Sequence, residues 1–596
     1  MFLATTSLSD FWDNRDEMLF LGSWCLRHDQ RDIWSRLRYR VLPSPWNDRG
    51  RFYQAADTLD RCGERMLELL SERLNALHGI QAPMRYWRIL IGPWLVHHLH
   101  VLYDRYIHLQ HAFAQENSLK TLCLDPASFR VPQDAAEHQE WVQGDPYNLQ
   151  LYSMLLTHMG YSFPLRRFSG PGDLETRSRI PLTPGLRLSR RLQGLFTGLL
   201  KHRWKIALYE TALPRSALCR IAWRTGFRAL PLALEEERWP SGFTQAVFDG
   251  RRASLADLPH QDEFERLFIK MLPQDFPSLY LEGYQTARES TLRALPENPS
   301  AILSGIGWHF HERFKWIAAE AILKKRRLVA LQHGGGYGVY RSTSMEQHEK
   351  RISDSFLVWG WGGRNGDPMR NVPAPQLSLL AGRMRSAPRS NRSSILFVAT
   401  TNPPYFYRFY SHPQGSQLED YFQWQFRFLQ SLPPAVRERI LFRPHLHPDQ
   451  HGLKERLTGR FPDLGWQEGV PFREGLRRSS LAVIDHLSTS FLETLAADRP
   501  TLLFWDSQRW EVRPEAEPFF SALREAGILW DSPEAAAGHL QKIAGDPAGW
   551  WAGPKIQEAC RSFVARYASC HQNWDTIWLQ TLREEAPEYV RAKKKF

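Results

Sequence analysis

The chain has 596 residues, more than one hydrophobic core usually supports, so two or three domains are expected. Hydrophobic residues make up 43% of the chain, which is typical of a globular protein, and the formal net charge of +12 favours an anionic partner. Nucleic acid is not that partner, because the basic residues are dispersed and no nucleic-acid module is recognisable. The six cysteines lack any metal-type spacing, which is typical of reduced thiols in a cytoplasmic protein.

The first part of the chain is predicted to be mainly helical. Residues 55–77 and 84–115 carry apolar side chains at intervals of three and four residues. The start of the chain lacks the features of a signal peptide, and the apolar stretch 89–103 is too short and too polar to cross a membrane. We therefore predict a helical N-terminal region over 1–200.

A basic amphipathic segment ends this region, at residues 187–205. Such a segment can lie on an anionic bilayer, or it can pack on a neighbouring helix with its charges in solvent. We therefore predict a cytoplasmic protein, with a peripheral contact on the inner face of the cytoplasmic membrane as one interpretation.

Short strand-like runs alternate with helical segments in the middle of the chain, at 206–209, 301–303, 328–331 and 356–359. This alternation indicates a parallel sheet. We predict a first Rossmann-like domain over 201–365 on the acceptor side. The polar, proline-containing segment 366–392 is predicted to be a linker.

The same pattern restarts beyond this segment, with predicted strands at 394–399, 440–443, 481–484 and 501–505. We predict a second Rossmann-like domain over 393–549, which binds a nucleotide-sugar donor, and C-terminal helices over 550–596. Two such domains facing a cleft describe an α/β fold of the GT-B-like kind, although a fold alone does not determine function.

Two predicted strand ends in the second domain carry the side chains that a phosphate group requires. A parallel sheet binds ligands outside the carboxyl ends of its strands, and a helix N-terminus attracts anions. One strand end supplies arginine and histidine, and the other supplies hydroxyl groups at a helix start. The predicted donor-binding residues are Arg443, His445, His447, Pro448, Ser488, Thr489, Ser490 and Glu493.

Two segments of the first domain are candidates for the facing side of the cleft. Glu312 follows a strand and is the predicted catalytic carboxylate, either as nucleophile or as base, with Lys315 beside it as a contact for an anionic group. Glu346, Glu349 and Asp354 are weaker candidates, because capping and solvated roles are more common for such acids. The second segment joins the predicted catalytic His333 to the cleft loop Gly334, Gly335, Gly336 and Tyr337. No histidine cluster has metal-site spacing, so no metal is expected.

The chain resembles a bacterial family of transferases from surface-polysaccharide gene clusters, related to retaining transferases of pseudaminic acid and Kdo. The resemblance is carried by FLATT at 2–6, FLGSWC at 20–25, YWRILIGPWL at 86–95, DPYN at 145–148, QHGGGYG at 332–338 and WGW at 359–361. The histidine–proline pair and the hydroxyl cluster are similar to the CMP-binding motifs of bacterial sialyltransferases and capsule Kdo transferases. His447 with Pro448 matches that pair, and Pro444 with His445 can be aligned instead.

This resemblance implies a metal-independent, retaining glycosyltransferase of GT-B type without a cofactor. Its donor is a CMP-activated 2-keto sugar acid, such as pseudaminic acid or Kdo, and its acceptor is a surface glycan, lipid-linked glycan or glycoconjugate, as in capsule or lipopolysaccharide. One alternative is a GT-B transferase that uses a UDP-sugar, a GDP-sugar or a CDP-polyol. An alternative of another class is a non-catalytic peripheral scaffold of polysaccharide assembly.

Overall fold

The computed structural model describes residues 1–168, 198–200, 202–234, 238–363, 367–386, 393–446 and 449–586. Two six-stranded sheets dominate it, and within each sheet all neighbouring strands are parallel. The predicted α/β fold with two Rossmann-type domains and a GT-B-like architecture is therefore confirmed.

The first large sheet has the strand order β11-β10-β9-β8-β6-β7. Its strands are buried apolar runs, as expected when helices cover both faces of a parallel sheet. They are β6 (Ile206–Tyr209), β7 (Ala229–Pro231), β8 (Ala301–Ser304), β9 (Arg327–Leu331), β10 (Ser355–Val358) and β11 (Met369–Asn371).

The second large sheet has the order β14-β13-β12-β15-β16-β17. The chain starts in the middle, moves to one edge, and then crosses over to build the other half. Its strands are β12 (Ile395–Val398), β13 (Ile440–Arg443), β14 (Gly465–Trp466), β15 (Leu481–Ile484), β16 (Thr501–Phe504) and β17 (Leu529–Trp530). The order reverses between β12 and β15, and sheets of this kind bind ligands at the carboxyl ends of the strands beside such a switch point.

The N-terminal region contains a small parallel sheet and two long helices. The sheet joins β1 (Phe2–Ala4), β2 (Met18–Phe20) and β3 (Tyr39–Val41), and a separate pair joins β4 (Cys123–Leu124) to β5 (Leu165–Arg166). The prediction of a mainly helical region misses these strands, because each has only two or three residues. The helices of this region are α1 (Arg31–Trp34), α2 (Arg49–His78), α3 (Met84–Gln115), α4 (Ala135–Trp141) and α5 (Asp145–His158).

Helices connect the strands of both large sheets. In the first domain they are α6 (Arg215–Arg224), α7 (Gly250–Ala253), α8 (Glu263–Asp275), α9 (Tyr284–Ala294), α10 (Gly307–Phe310), α11 (Glu312–Leu323) and α12 (Ser344–Ile352). Beyond it lie α13 (Pro375–Ser386), α14 (Gln417–Gln430), α15 (Pro434–Arg437), α16 (Leu453–Arg460), α17 (Phe472–Arg478), α18 (Thr489–Ala496), α19 (Glu517–Glu525), α20 (Pro533–Ile543), α21 (Pro547–Trp551), α22 (Pro554–Tyr567) and α23 (Trp574–Glu585).

The segment predicted as a linker, 366–392, is largely ordered secondary structure. Within it, β11 pairs with β10 and so completes the first sheet, and α13 follows directly. The prediction is wrong because the apolar residues of this segment are buried: Val372, Ala374, Leu377 and Leu380 are each at most 2% exposed. Proline and polar residues dominate the composition, but these four positions determine the packing.

The C-terminal helices pack on both large domains. Helix α22 packs against α18 and α19 of the second domain, whereas α23 returns to the first domain. There Trp574, Trp578 and Leu582 join the apolar cluster that contains β6 and β8 residues. The end of the chain therefore links the two halves of the molecule. The basic segment 187–205 lies mostly outside the described residues, so its predicted membrane contact stays a prediction.

Candidate functional site

The switch point of the second sheet is formed by the segments that follow β12 and β15. After β15, Ser488 precedes α18 and its hydroxyl oxygen accepts a hydrogen bond from the backbone N–H of Ser490 at 3.3 Å. Ser488, Thr489 and Ser490 are all partly exposed. A helix N-terminus at this edge offers free N–H groups and a positive end of the helix dipole, so it can hold a phosphate.

The glycine loop of the first domain, residues 333–338, reaches across the cleft to this helix start. The Gly335 N–H donates to Thr489 Oγ1 at 3.0 Å. A Cβ atom at Gly335 would lie 2.3 Å from the Ser488 carbonyl oxygen, so only glycine permits this approach. The Tyr340 hydroxyl donates to the Leu487 carbonyl oxygen at 2.5 Å. The two domains are therefore in direct contact at the predicted donor site.

Glu346 and Arg513 hold the far end of this loop. The Gly338 N–H donates to Glu346 Oε2 at 2.8 Å, and Arg513 Nη2 lies 2.9 Å from Glu346 Oε1. Gly338 itself has a φ of 70°, which favours glycine. Glu346, which the sequence suggested as a weak catalytic candidate, thus links the loop of the first domain to the second domain.

His333 lies in a hydrogen-bonded cluster around Glu349. One carboxylate oxygen, Glu349 Oε1, lies 3.1 Å from His333 Nε2 and 3.0 Å from His309 Nε2, and it accepts a hydrogen bond from the Tyr337 hydroxyl at 3.0 Å. Glu349 is fully buried, whereas the His333 side chain is 16% exposed. Burial alone would raise the pKa of Glu349, but His333 and His309 hold it below its ordinary value. A histidine held by a carboxylate in this way can act as a proton acceptor.

The predicted catalytic role of Glu312 does not fit its position. The side chains of Glu312 and Lys315 are both fully buried and form an ion pair of 2.7 Å. The Tyr280 hydroxyl donates to the other carboxylate oxygen, and Lys315 Nζ donates to the Leu90 carbonyl oxygen. A carboxylate enclosed in this way cannot reach a sugar, and Lys315 cannot reach an anionic ligand. The structure gives both residues a packing role and brings Glu349 to His333 instead.

The predicted residues at the end of β13 lie at the same edge of the sheet as α18. Arg443 is partly buried, and its Nη1 donates to the Val470 carbonyl oxygen at 2.5 Å. Strands β13 and β15 both flank β12, so their carboxyl ends are separated by two strand spacings, roughly 10 Å. His445 is exposed on the loop that follows β13, whereas His447 and Pro448 lie outside the described residues.

Glu493 lies one turn inside α18 and is partly buried. Burial raises its pKa, and the guanidinium of Arg473, 3.8 Å away, opposes that effect. Its contact with the ribose or base of a nucleotide stays a prediction.

Arg408 contacts Met345 of the first domain, and no motif in the sequence predicts a role for it. It lies in the segment between β12 and α14, and its guanidinium stacks on the rings of Tyr407 and Tyr410. The only local signal is a lone arginine inside the aromatic run 405–410, directly after a strand. Among the described residues, no group of three or more histidine, cysteine, aspartate or glutamate side chains is arranged to hold a metal ion.

Two Rossmann-type domains, each built on a parallel six-stranded sheet and in contact at segments that follow their strands, define a protein of GT-B-like architecture. The chain belongs to the LIC12162 family of transferases, because the model of that family matches residues 1–582. The expected transferase class is thereby confirmed. No curated protein is similar enough to match the chain.

Solved structures that resemble the chain do so at low identity. A protein of Listeria monocytogenes described as a UDP-N-acetylglucosamine 2-epimerase is 10% identical, with a TM-score of 0.36, covering 64% of this chain and 97% of its own. A trehalose 6-phosphate synthase of Burkholderia multivorans is 12% identical, with a TM-score of 0.35, covering 65% and 98%. The wall teichoic acid polymerase TagF is 10% identical, with a TM-score of 0.30, covering 68% and 98%.

None of the helices that the structure describes combines the length and the apolarity that a membrane crossing requires.

Proposed function

We propose that this transferase moves a nonulosonic or 2-keto sugar acid, of the pseudaminic acid or Kdo type, from a CMP-activated donor to a surface glycan or glycoconjugate. One observation carries the proposal: the start of α18 at the switch point of the second sheet faces the loop that holds His333. The two-domain architecture supports transfer of a sugar from a donor on one domain to an acceptor on the other. The identity of the nucleotide and the class of the sugar are inferred from the sequence resemblance.

In this proposal the second domain binds the donor phosphate. The hydroxyl groups of Ser488, Thr489 and Ser490 and the N–H groups of the first turn of α18 stabilise the phosphate as it leaves, and Arg443 with His445 or His447 adds positive charge. Glu493 contacts the nucleoside. Negative charge develops on the leaving phosphate in the transition state. Because these groups stabilise that charge more strongly than the ground state, they lower the barrier to transfer.

In the first domain, His333 accepts the proton of the acceptor hydroxyl. Glu349 engages the Nε2 side of His333, so proton transfer to or from the substrate uses Nδ1. The Glu349 carboxylate stabilises the imidazolium that forms when His333 accepts the proton. The glycine loop closes over the reacting groups and excludes water. Retention of configuration and transfer without a metal are part of the proposal and come from the resemblance.

A nucleotide titration tests the donor class. We expect the intact protein to bind CMP at least about tenfold more tightly than UDP, GDP or CDP in isothermal titration calorimetry, because a specific base contact contributes about 1–3 kcal/mol. Tighter binding of UDP or GDP would assign the enzyme to another donor class. Tightest binding of CDP would favour a polyol-phosphate donor, and binding of none of the four would favour a scaffold role.

A further inference from the structure

Arg408 is a cation of the interdomain cleft without a carboxylate partner among the residues that the structure describes. Its Nε is buried and makes no hydrogen bond, and its Nη1 contacts the sulfur of Met345 at 3.6 Å. Arg105 and Arg252, which are buried more completely, pair with Asp104 and Glu282. The Arg408 side chain is only partly exposed, so water solvates its charge incompletely, and an anionic ligand would complete the hydrogen bonds of the guanidinium.

The surroundings of Arg408 keep its planar group in place. Its Cζ lies 3.9 Å from the ring centroid of Tyr410 and 4.6 Å from that of Tyr407. Stacking of this kind fixes the orientation of a guanidinium and leaves its edge free for hydrogen bonds. Burial and the charge of Arg408 lower the pKa of His97 and His412 to about 3, so both rings are neutral and Arg408 is the positive charge of this cluster.

The position of Arg408 relates it to the donor site. It follows β12, one of the two strands at the switch point, and α18 follows β15, the other. Tyr340 lies between the two, because its hydroxyl donates to the Leu487 carbonyl oxygen and its ring lies 6.0 Å from that of His412, which belongs to the same segment as Arg408. Arg408 therefore lies beside the crevice, on a different segment from the helix start that is proposed to bind the phosphate.

We propose that Arg408 binds the carboxylate of the sugar acid that is transferred, an assignment that rests on the proposed function. A guanidinium edge matches a carboxylate with two parallel hydrogen bonds, and a neutral sugar offers no such group. The site then has two anion positions: the start of α18 for the phosphate and Arg408 for the sugar acid. A donor with two separate anionic groups fits this arrangement, and an ordinary UDP-hexose does not carry the second one.

Binding measurements on the intact protein test this assignment. The probes are CMP, CMP-Kdo and CMP-pseudaminic acid, titrated by calorimetry into the wild type, Arg408→Met, Arg408→Lys and the control Arg427→Met. Arg427 forms an exposed ion pair with Glu534 on α20 and has no place in the site. We expect Arg408→Met to weaken the tighter of the two sugar-acid donors about 10- to 100-fold, because a charge-assisted pair is lost, and to change CMP affinity less than about threefold. Arg408→Lys should fall between, and the control should match the wild type.

Each other outcome has its own meaning. An equal loss for CMP and for the sugar-acid donor would make Arg408 a phosphate contact, and no loss for either would make it a packing residue; both results overturn the assignment while the proposed function stands. If the wild type binds neither CMP nor the two donors, the proposed function fails and this assignment fails with it. An unchanged melting temperature shows that each variant is folded, and Arg408→Lys carries the comparison if Arg408→Met does not fold.

Discussion

At the residue scale, the carboxylate that contacts His333 belongs to Glu349, whereas Glu312 is buried against Lys315. Both acids were visible in the sequence, and Glu312 was preferred because it follows a strand. The choice fails because burial and pairing depend on contacts far along the chain, such as that between Lys315 and Leu90. The surroundings of Glu349 are likewise set by tertiary contacts, with His309, His333 and Tyr337.

Removing the proton acceptor should abolish most turnover and leave donor binding intact. We expect His333→Ala to lower the rate of CMP release from the donor about 10²- to 10⁴-fold, the usual contribution of a general base, with CMP affinity within about threefold of the wild type. Glu349→Gln should lower the rate less, because the histidine remains. The exposed His260 offers a control, and His260→Ala should match the wild type. Undiminished turnover in His333→Ala would show that this residue does not act on the proton.

Glu312→Gln should affect stability and not chemistry. Above a pH of about 7, where Glu312 is ionised, the change leaves Lys315 buried without its counter-charge, and breaking one partner of a buried pair typically costs about 3–5 kcal/mol. Burial raises the pKa of Glu312 to about 7, against the opposing charge of Lys315, from an ordinary value of 4.5. The folded state therefore holds this proton more tightly than the unfolded state does. The wild type should lose unfolding free energy as the pH rises from about 4.5 to about 7, and the variant should lack this slope.

Thermal unfolding across this pH range, with turnover measured below the transition, checks both statements. A variant with unchanged stability and abolished transfer would return Glu312 to the catalytic role that the sequence suggested.

At the scale of elements, the sheet edges and the glycine loop create the site together. The strand ends are readable in the sequence because parallel strands are short apolar runs followed by polar residues, as at Arg443 and Ser488. The contact of the loop with α18 is not readable, because it depends on how the two domains face each other. Four glycines in five positions signalled a close approach of backbone, but not its partner.

Gly335→Ala should separate the loop from α18. The added Cβ would lie 2.3 Å from the backbone oxygen of Ser488, and backbone cannot move aside as a side chain can. We expect turnover to fall at least about tenfold, since a displacement of about 1 Å at a reacting centre can cost far more, with only a small change in melting temperature. Gly459→Ala is the matched control, because a Cβ there meets nothing within 4 Å. Equal turnover in both variants would contradict the role given to the loop.

At the scale of the whole molecule, the chain crosses between its domains more often than the sequence suggested. The two sheets and their order within the chain were predictable from alternating strands and helices. The strand β11 inside the predicted linker was not predictable, and neither was the packing of α23 on the first domain. That packing depends on contacts between residues far apart in sequence, such as Trp578 with the Pro373 carbonyl oxygen. The composition of a segment indicates solvent exposure and turns, whereas these contacts depend on a few buried side chains.

Trp578→Ala should therefore weaken the first domain although Trp578 lies near the end of the chain. Trp578 is fully buried in the cluster with β6 and β8, and truncation of such a side chain costs about 3–5 kcal/mol. Chemical denaturation measures this loss. Trp223, which is 74% exposed, provides the control, and Trp223→Ala should change stability by less than about 0.5 kcal/mol. A similar effect of the two substitutions would mean that α23 does not contribute to the core of the first domain.

A structure of the protein with CMP bound tests the central claim most directly. The account predicts the phosphate at hydrogen-bonding distance, about 3 Å, from the N–H and hydroxyl groups at Ser488–Ser490. The phosphate oxygen that carries the sugar in the donor should point toward His333. A nucleotide bound away from the start of α18, or with its phosphate turned from the glycine loop, would contradict it.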